Sequence, residues 1–93
     1  MSAGFNLDDT VVLKTIYRLQ WEPAQDAHVL LYPEGMVTLN GSASEILQLC
    51  QGELNVSAII NTLEEKFPEA GELKGDVLAF LEEAKNNGWI ESK

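Results

Sequence analysis

Ninety-three residues, 45% of them hydrophobic and 23% charged, suffice for one small core and leave little chain for a deep active site beside it. A formal charge of −9, from fifteen acidic and six basic residues, argues against partners held through phosphates. The single cysteine, Cys50, and the single histidine, His28, exclude an internal disulfide framework and a Cys-based zinc site, and leave no nucleophile–base–orienter set.

The whole chain, residues 1–93, is expected to form a single domain. Residues 1–14 are expected to be loosely ordered, because Gly4, Asn6, Asp8 and Asp9 interrupt any pattern. Met1 to Asp9 carries two acids and no base, unlike a secretory signal, and the apolar run Val29–Tyr32 is far too short to span a membrane. A soluble, cytoplasmic protein without membrane contact is the expectation.

From Tyr17 a period of two sets in. Tyr17, Leu19 and Trp21 alternate with Arg18, Gln20 and Glu22, as in a half-buried strand that Pro23 stops. His28 to Tyr32 is apolar on both faces and reads as a central strand. Pro33-Glu34-Gly35 reads as a hairpin connection, and Met36 to Leu39 as a third strand, completing an antiparallel meander.

After Asn40-Gly41 the period lengthens to about 3.6. Ser42-Ala43-Ser44-Glu45 has the form of a capping box with Ser42 as the cap, and Gly52 is expected to end that helix. Ala43, Ile46, Leu47 and Cys50 share its apolar face. A second helix is predicted from near Asn55, with Val56, Ile59, Ile60, Leu63 and Phe67 on one stripe, ending before Pro68. The third is predicted over about 72–87, with Leu73, Val77, Phe80, Leu81 and Ala84 on one face and Gly88 as its stop. Gly75 marks either a close backbone approach or a late helix start. Trp89-Ile90 are expected to fold back over the core. The predicted class is α+β, a three-stranded antiparallel sheet followed by three helices in a winged helix-turn-helix-like arrangement.

A winged helix often reads DNA, but from Glu53 onward nine acids face four lysines, and no basic patch interleaves with aromatics. Nucleic acid is therefore not an expected partner. The paired acids (Asp8-Asp9, Glu64-Glu65, Glu82-Glu83) are sequence neighbours, which do not face each other on a helix and read as solvated charge. No catalytic residue, metal ligand or cofactor site is assigned, and the chain is not expected to be an enzyme.

The third strand is left as a sheet edge, and Met36 to Leu39 carries none of the lysine, proline or inward charge that blunts edges. Such an edge is a template for an added strand. The apolar stripe of the third helix is wide enough to supply a second wall, or all of it could be core. A proline at Val37 is expected to abolish peptide pairing. The same edge and helix face could instead join two copies into a homodimer.

The stretches Arg18-Leu19-Gln20-Trp21, Val29 to Gly35, Leu39 to Ala43, Glu45-Ile46-Leu47 with Cys50 and Gly52, Ile59-Ile60 with Leu63 and Phe67-Pro68, and Gly88-Trp89-Ile90 together resemble the PqqD family of pyrroloquinoline quinone (PQQ) biosynthesis. Val11 to Ile16 departs from the Pro- and Gly-containing start of that family. The resemblance implies a peptide chaperone that binds the leader of a ribosomally made precursor, PqqA, and presents it to the radical SAM enzyme PqqE. It also implies that the leader adds as a strand beside the third strand and packs on the third helix. Carried over, the peptide-binding residues are Met36, Val37, Thr38 and Leu39 facing Leu73, Val77, Phe80, Leu81 and Ala84.

Overall fold

The computed structural model describes residues 5–93 and contains two three-stranded antiparallel sheets and three helices. The α+β class holds. The strands, however, do not all precede the helices, and there is a second sheet that the sequence pattern does not reveal.

The meander forms where the period of two runs. Strands β2 (Arg18–Glu22), β3 (Ala27–Tyr32) and β4 (Gly35–Thr38) pair in that order, which leaves β4 at one edge. The β2–β3 turn closes through Asp26 at φ 51°, a left-handed conformation that aspartate tolerates better than most residues. Pro33-Glu34 links β3 to β4. Leu19, Leu30, Val37 and Leu39 project to the helices, and Leu30 and Leu39 are buried there.

The other sheet corrects the expectation that residues 1–14 are loosely ordered. Thr10–Leu13 is β1, the central strand between β5 (Gln51–Asn55) and β6 (Ile90–Ser92). The segment is held on both sides: the Leu13 N–H donates to the Cys50 carbonyl (2.9 Å) and the Lys93 N–H to the Thr10 carbonyl (2.8 Å). Val11 is fully buried in the core. Further upstream, the Ser57 and Val56 N–H groups donate to the carbonyls of Leu7 and Asp9. Residues 1–4, part of the same expectation, lie outside the described residues.

Gly52 has a different role from the one expected of it. It lies in β5 at φ 85°, where the β1–β5 register shifts, and an added Cβ would sit 3.4 Å from Val12 Cγ2 and from Lys93 Cδ. Glycine is needed there for an irregular strand pairing and a close approach, not for a helix stop.

Helix α1 (Gly41–Leu47) is capped by Asn40, whose Oδ1 accepts from the Ala43 N–H at 2.8 Å, so Ser42 is not the cap. Asn40 is extended, as a cap residue must be, and it sits at the right distance from Ala43 to take the orphan N–H. Glu45, expected to complete a capping box, instead pairs with Lys66 at 2.6 Å. The same Asn-x-Ser-Ala device starts α2 (Val56–Lys66), with Asn55 Oδ1 accepting from the Ala58 N–H at 2.8 Å, as the sequence suggested. Strand β5 therefore lies between α1 and α2, where a bare helix–helix turn was expected.

A 3₁₀ turn at Pro68–Ala70 leads into α3 (Lys74–Asn86). The N-terminus of α3 has no cap of its own; the Leu73 N–H donates to Glu64 Oε2 of α2 at 2.8 Å, which ties the two helices together. Its C-terminus ends as expected at Gly88, φ 80°, with the Gly88 and Trp89 N–H groups bonded to the Lys85 and Ala84 carbonyls. This is the paired Schellman closure. Gly75 lies in the first turn with open space around it, which settles it as a mark of the late helix start. Val11, Leu47, Val56, Ile59, Leu81 and Ile90 form the centre of one core that unites both sheets and all three helices. No helix of the described residues is long and apolar enough to cross a membrane.

Candidate functional site

The hydrogen-bond phase of the meander decides what β4 offers at its free edge. Val37 pairs opposite Leu30, and the Leu39 N–H donates to the His28 carbonyl at 3.0 Å. In an antiparallel ladder bonded and non-bonded pairs alternate. Val37 and Leu39 therefore spend their N–H and C=O groups on β3, and those of Met36 and Thr38 point outward. Two residues of β4 thus present donors and acceptors to an incoming chain. Proline at Val37 would break the meander's own ladder; the variants that strip a donor from the free edge alone are Met36→Pro and Thr38→Pro.

The side chains of Met36 and Thr38 lie on the outer face of the sheet, where Gln25 from the β2–β3 turn reaches across. The Thr38 hydroxyl donates to Gln25 Oε1 at 2.7 Å, and Gln25 Nε2 lies 4.0 Å from Met36 Sδ. Met36 is 47% exposed, as Trp21 is at 48% in the opposite edge strand β2. On the opposite edge, Arg18 stands within β2.

Two residues beyond β4 the chain enters a groove of about 570 Å³, bounded by the start of α1, the end of α2, the 3₁₀ turn and the first turn of α3. Its floor is apolar, with Ile46, Leu63, Phe67, Leu73 and Val77 drawn from all these helices and their junctions. Its polar lining includes the carboxylates of Glu45, Glu69 and Asp76. Phe67, the C-cap residue of α2, is 36% exposed rather than buried on the helix stripe where it was expected. Lys66 Nζ lies 5.6 Å from the Phe67 ring centroid and also bonds Glu45.

The sequence-derived site residues fall into three groups. Met36 and Thr38 are exposed on β4, with Val37 half-buried beneath them. Leu73, partly exposed, lines the groove, and Val77 lies in its floor while being buried in the core. Leu39, Leu81 and Ala84 are core, the last two fully buried, and Phe80 packs partly buried against the same cluster. The main contacts of α3 are with α2 and β6, and those of β4 are with β3, so the groove wall opposite α3 is α1 and the end of α2. Sequence reasoning missed Ser42, Glu45, Phe67, Glu69 and Asp76, whose convergence is tertiary; an aromatic directly before Pro68 was the one local signal.

Two further residues make structural contacts. His28 meets Trp21 edge-on, 5.2 Å between ring centroids, as a cross-strand pair. Cys50 is buried with its Sγ 3.3 Å from the Ile46 carbonyl, and burial pushes its pKa up from 9.0 to about 12, which leaves the thiol unreactive at neutral pH. No group of three or more His, Cys, Asp or Glu side chains placed to hold a metal ion occurs among the described residues.

Residues 27–90 match the family model described as coenzyme PQQ synthesis protein D (PqqD). A protein of Pseudomonas aeruginosa (strain UCBPP-PA14) named PqqA binding protein is 55% identical, over 92% of this chain and 94% of that protein. Its namesake in Azotobacter vinelandii is 52% identical, over 91% of this chain and 92% of that one. Among solved structures, the solution structure of the PqqD truncation of Methylobacterium extorquens PqqCD, described as a stand-alone recognition element for ribosomally synthesized and post-translationally modified peptides, superposes with a TM-score of 0.73. It is 28% identical, and 94% of each chain is covered. The chain belongs to the PqqD family.

Proposed function

We propose that this protein binds the PQQ precursor peptide PqqA by strand addition at β4 and presents it to the radical SAM enzyme PqqE, without contributing a catalytic group or a cofactor. The observation that carries this reading is the open β4 edge, where the N–H and C=O groups of Met36 and Thr38 face outward and no lysine or proline guards them. Backbone pairing supplies affinity without demanding one sequence; selection falls to the side chains that Leu73, Val77 and the rest of the groove receive. The names of the relatives supply the client. On the same reading the three helices and the meander form a winged-helix-like unit whose acidic surface serves peptide rather than DNA.

The test is the affinity of wild type, Thr38→Pro and Trp21→Pro for synthetic PqqA. Because Gln20 faces Val29 in a bonded pair, Trp21 turns its N–H to the opposite edge, so its variant is the matched control. Loss of one charge-free backbone bond and of the strand's continuity predicts binding at least about tenfold weaker for Thr38→Pro, with Trp21→Pro unchanged. Equal affinities in all three folded proteins would refute strand addition at β4. The rival use of the same exposed edge, pairing with a second copy, predicts a mass that doubles with protein concentration and binding of peptide only at the expense of dimer.

A further inference from the structure

We propose, building on the peptide-binding reading, that the client carries a lysine or arginine beside an apolar anchor, and that this pair occupies the groove between α1, the end of α2 and the start of α3. The groove's volume suits one or two side chains of an extended peptide rather than a folded partner. Phe67 and Leu73 expose apolar surface in it, over a floor of buried Ile46, Leu63 and Val77, and this surface asks for an apolar group. Its rim asks for positive charge. The three charged side chains in the lining, Glu45, Glu69 and Asp76, are all carboxylates. The neighbouring cation, Lys66, is already committed to Glu45 in the only ion pair among the described residues. Glu69 and Asp76 are thus left without an ionic partner there, in a chain of net charge −9.

An acidic client would be repelled at this mouth. A purely apolar one would cover these exposed carboxylates without offering them a partner. A long basic side chain meets both demands, laying its methylene stem along the apolar floor and holding its charged head at the rim. The position fits the strand model as well. Gly41 and Ser42 of the groove follow β4 after only Leu39 and Asn40, so a peptide leaving the β4 edge at that end comes to the groove mouth.

The experiment compares synthetic PqqA binding to wild type and to the double variant Glu69→Gln/Asp76→Asn, at about 50 mM and about 300 mM salt, where screening differs strongly. Both carboxylates are exposed, and thermal unfolding checks that the variant is folded. Two solvent-accessible charge contacts predict about three- to tenfold weaker binding at low salt, narrowing toward twofold at high salt. Replacing each peptide lysine or arginine by glutamine then identifies one whose loss weakens wild type by the same factor and leaves the double variant unaffected. Binding within twofold of wild type at low salt, or no peptide cation coupled to the pair, overturns the inference. Absence of binding by wild type itself is a different result: it removes the peptide-binding reading on which the inference stands.

Discussion

The β2–β3–β4 meander joins its strands by turns of a few residues, whereas the β5–β1–β6 sheet gathers one strand from near the N-terminus, one from between two helices and one from the end of the chain. The first sheet forms from local pairing and ends in an edge with nothing laid along it. The second pairs strands that are distant in sequence, and Val11 and Ile90 are buried from it into the core. On the proposed function, stability and recognition are thereby separated: the composite sheet closes the fold, and the meander is the sheet proposed to extend by one strand. A small protein that must present an unpaired edge without aggregating benefits from placing its non-local constraints elsewhere.

The largest expected effect breaks the meander from within. Val37→Pro removes a donor of the β3–β4 ladder and should cost about 3 kcal/mol or more by chemical denaturation. Thr38→Pro, whose N–H faces outward, should stay within about 1 kcal/mol of wild type and lose peptide binding instead. Greater destabilisation by Thr38→Pro than by Val37→Pro would mean that the ladder phase is the reverse of the one described.

In the composite sheet, Gly52→Ala forces a Cβ into a left-handed position already crowded by Val12 and Lys93. It should destabilise by roughly 1–3 kcal/mol while leaving affinity for peptide unchanged. The junction between α1 and β5 can be probed by pH. Cys50 stays protonated in the folded state up to about 12, while in the unfolded chain it ionises near 9.0. Its contribution is therefore complete below pH 9 and is lost as pH rises from 9 toward 12, at roughly 1.4 kcal/mol per pH unit. Cys50→Ala should flatten that part of the stability profile. The smallest effect is a gain: Gly75→Ala, with open space for its methyl group, should stabilise by about 0.5 kcal/mol.

The two sheets also differ in how far the chain announces them. Tyr17-Leu19-Trp21 alternates cleanly and its partner follows one turn later, so the meander and its open edge are legible in the sequence. Thr10–Leu13 has only four residues and finds its partners in the middle of the chain and at its C-terminal end, so no local pattern marks it, and β6 is shorter still. The start of α2 near Asn55 was legible. Asn40 was hidden because Asn40-Gly41 also spells a turn, and Ser42 with Glu45 imitates a capping box whose glutamate is in fact held by Lys66. For the site, helical spacing placed Leu73, Val77, Leu81 and Ala84 on one face but could not tell groove from core. That division depends on where α1 and α2 cover α3: Leu73 is partly exposed at the groove, Val77 is buried in its floor, and Leu81 and Ala84 are sealed beneath.

The most direct test of the separation between closing sheet and recognising sheet is an NMR titration of isotope-labelled protein with unlabelled PqqA, read at the backbone amides. The account predicts the largest perturbations, and slowed hydrogen exchange, at the Met36 and Thr38 amides. Shifts should extend to Leu73 and Val77, with little change in β1, β5 and β6. Perturbations centred on the β5–β1–β6 sheet or on the β2 edge, with Met36 and Thr38 silent at saturating peptide, would contradict it.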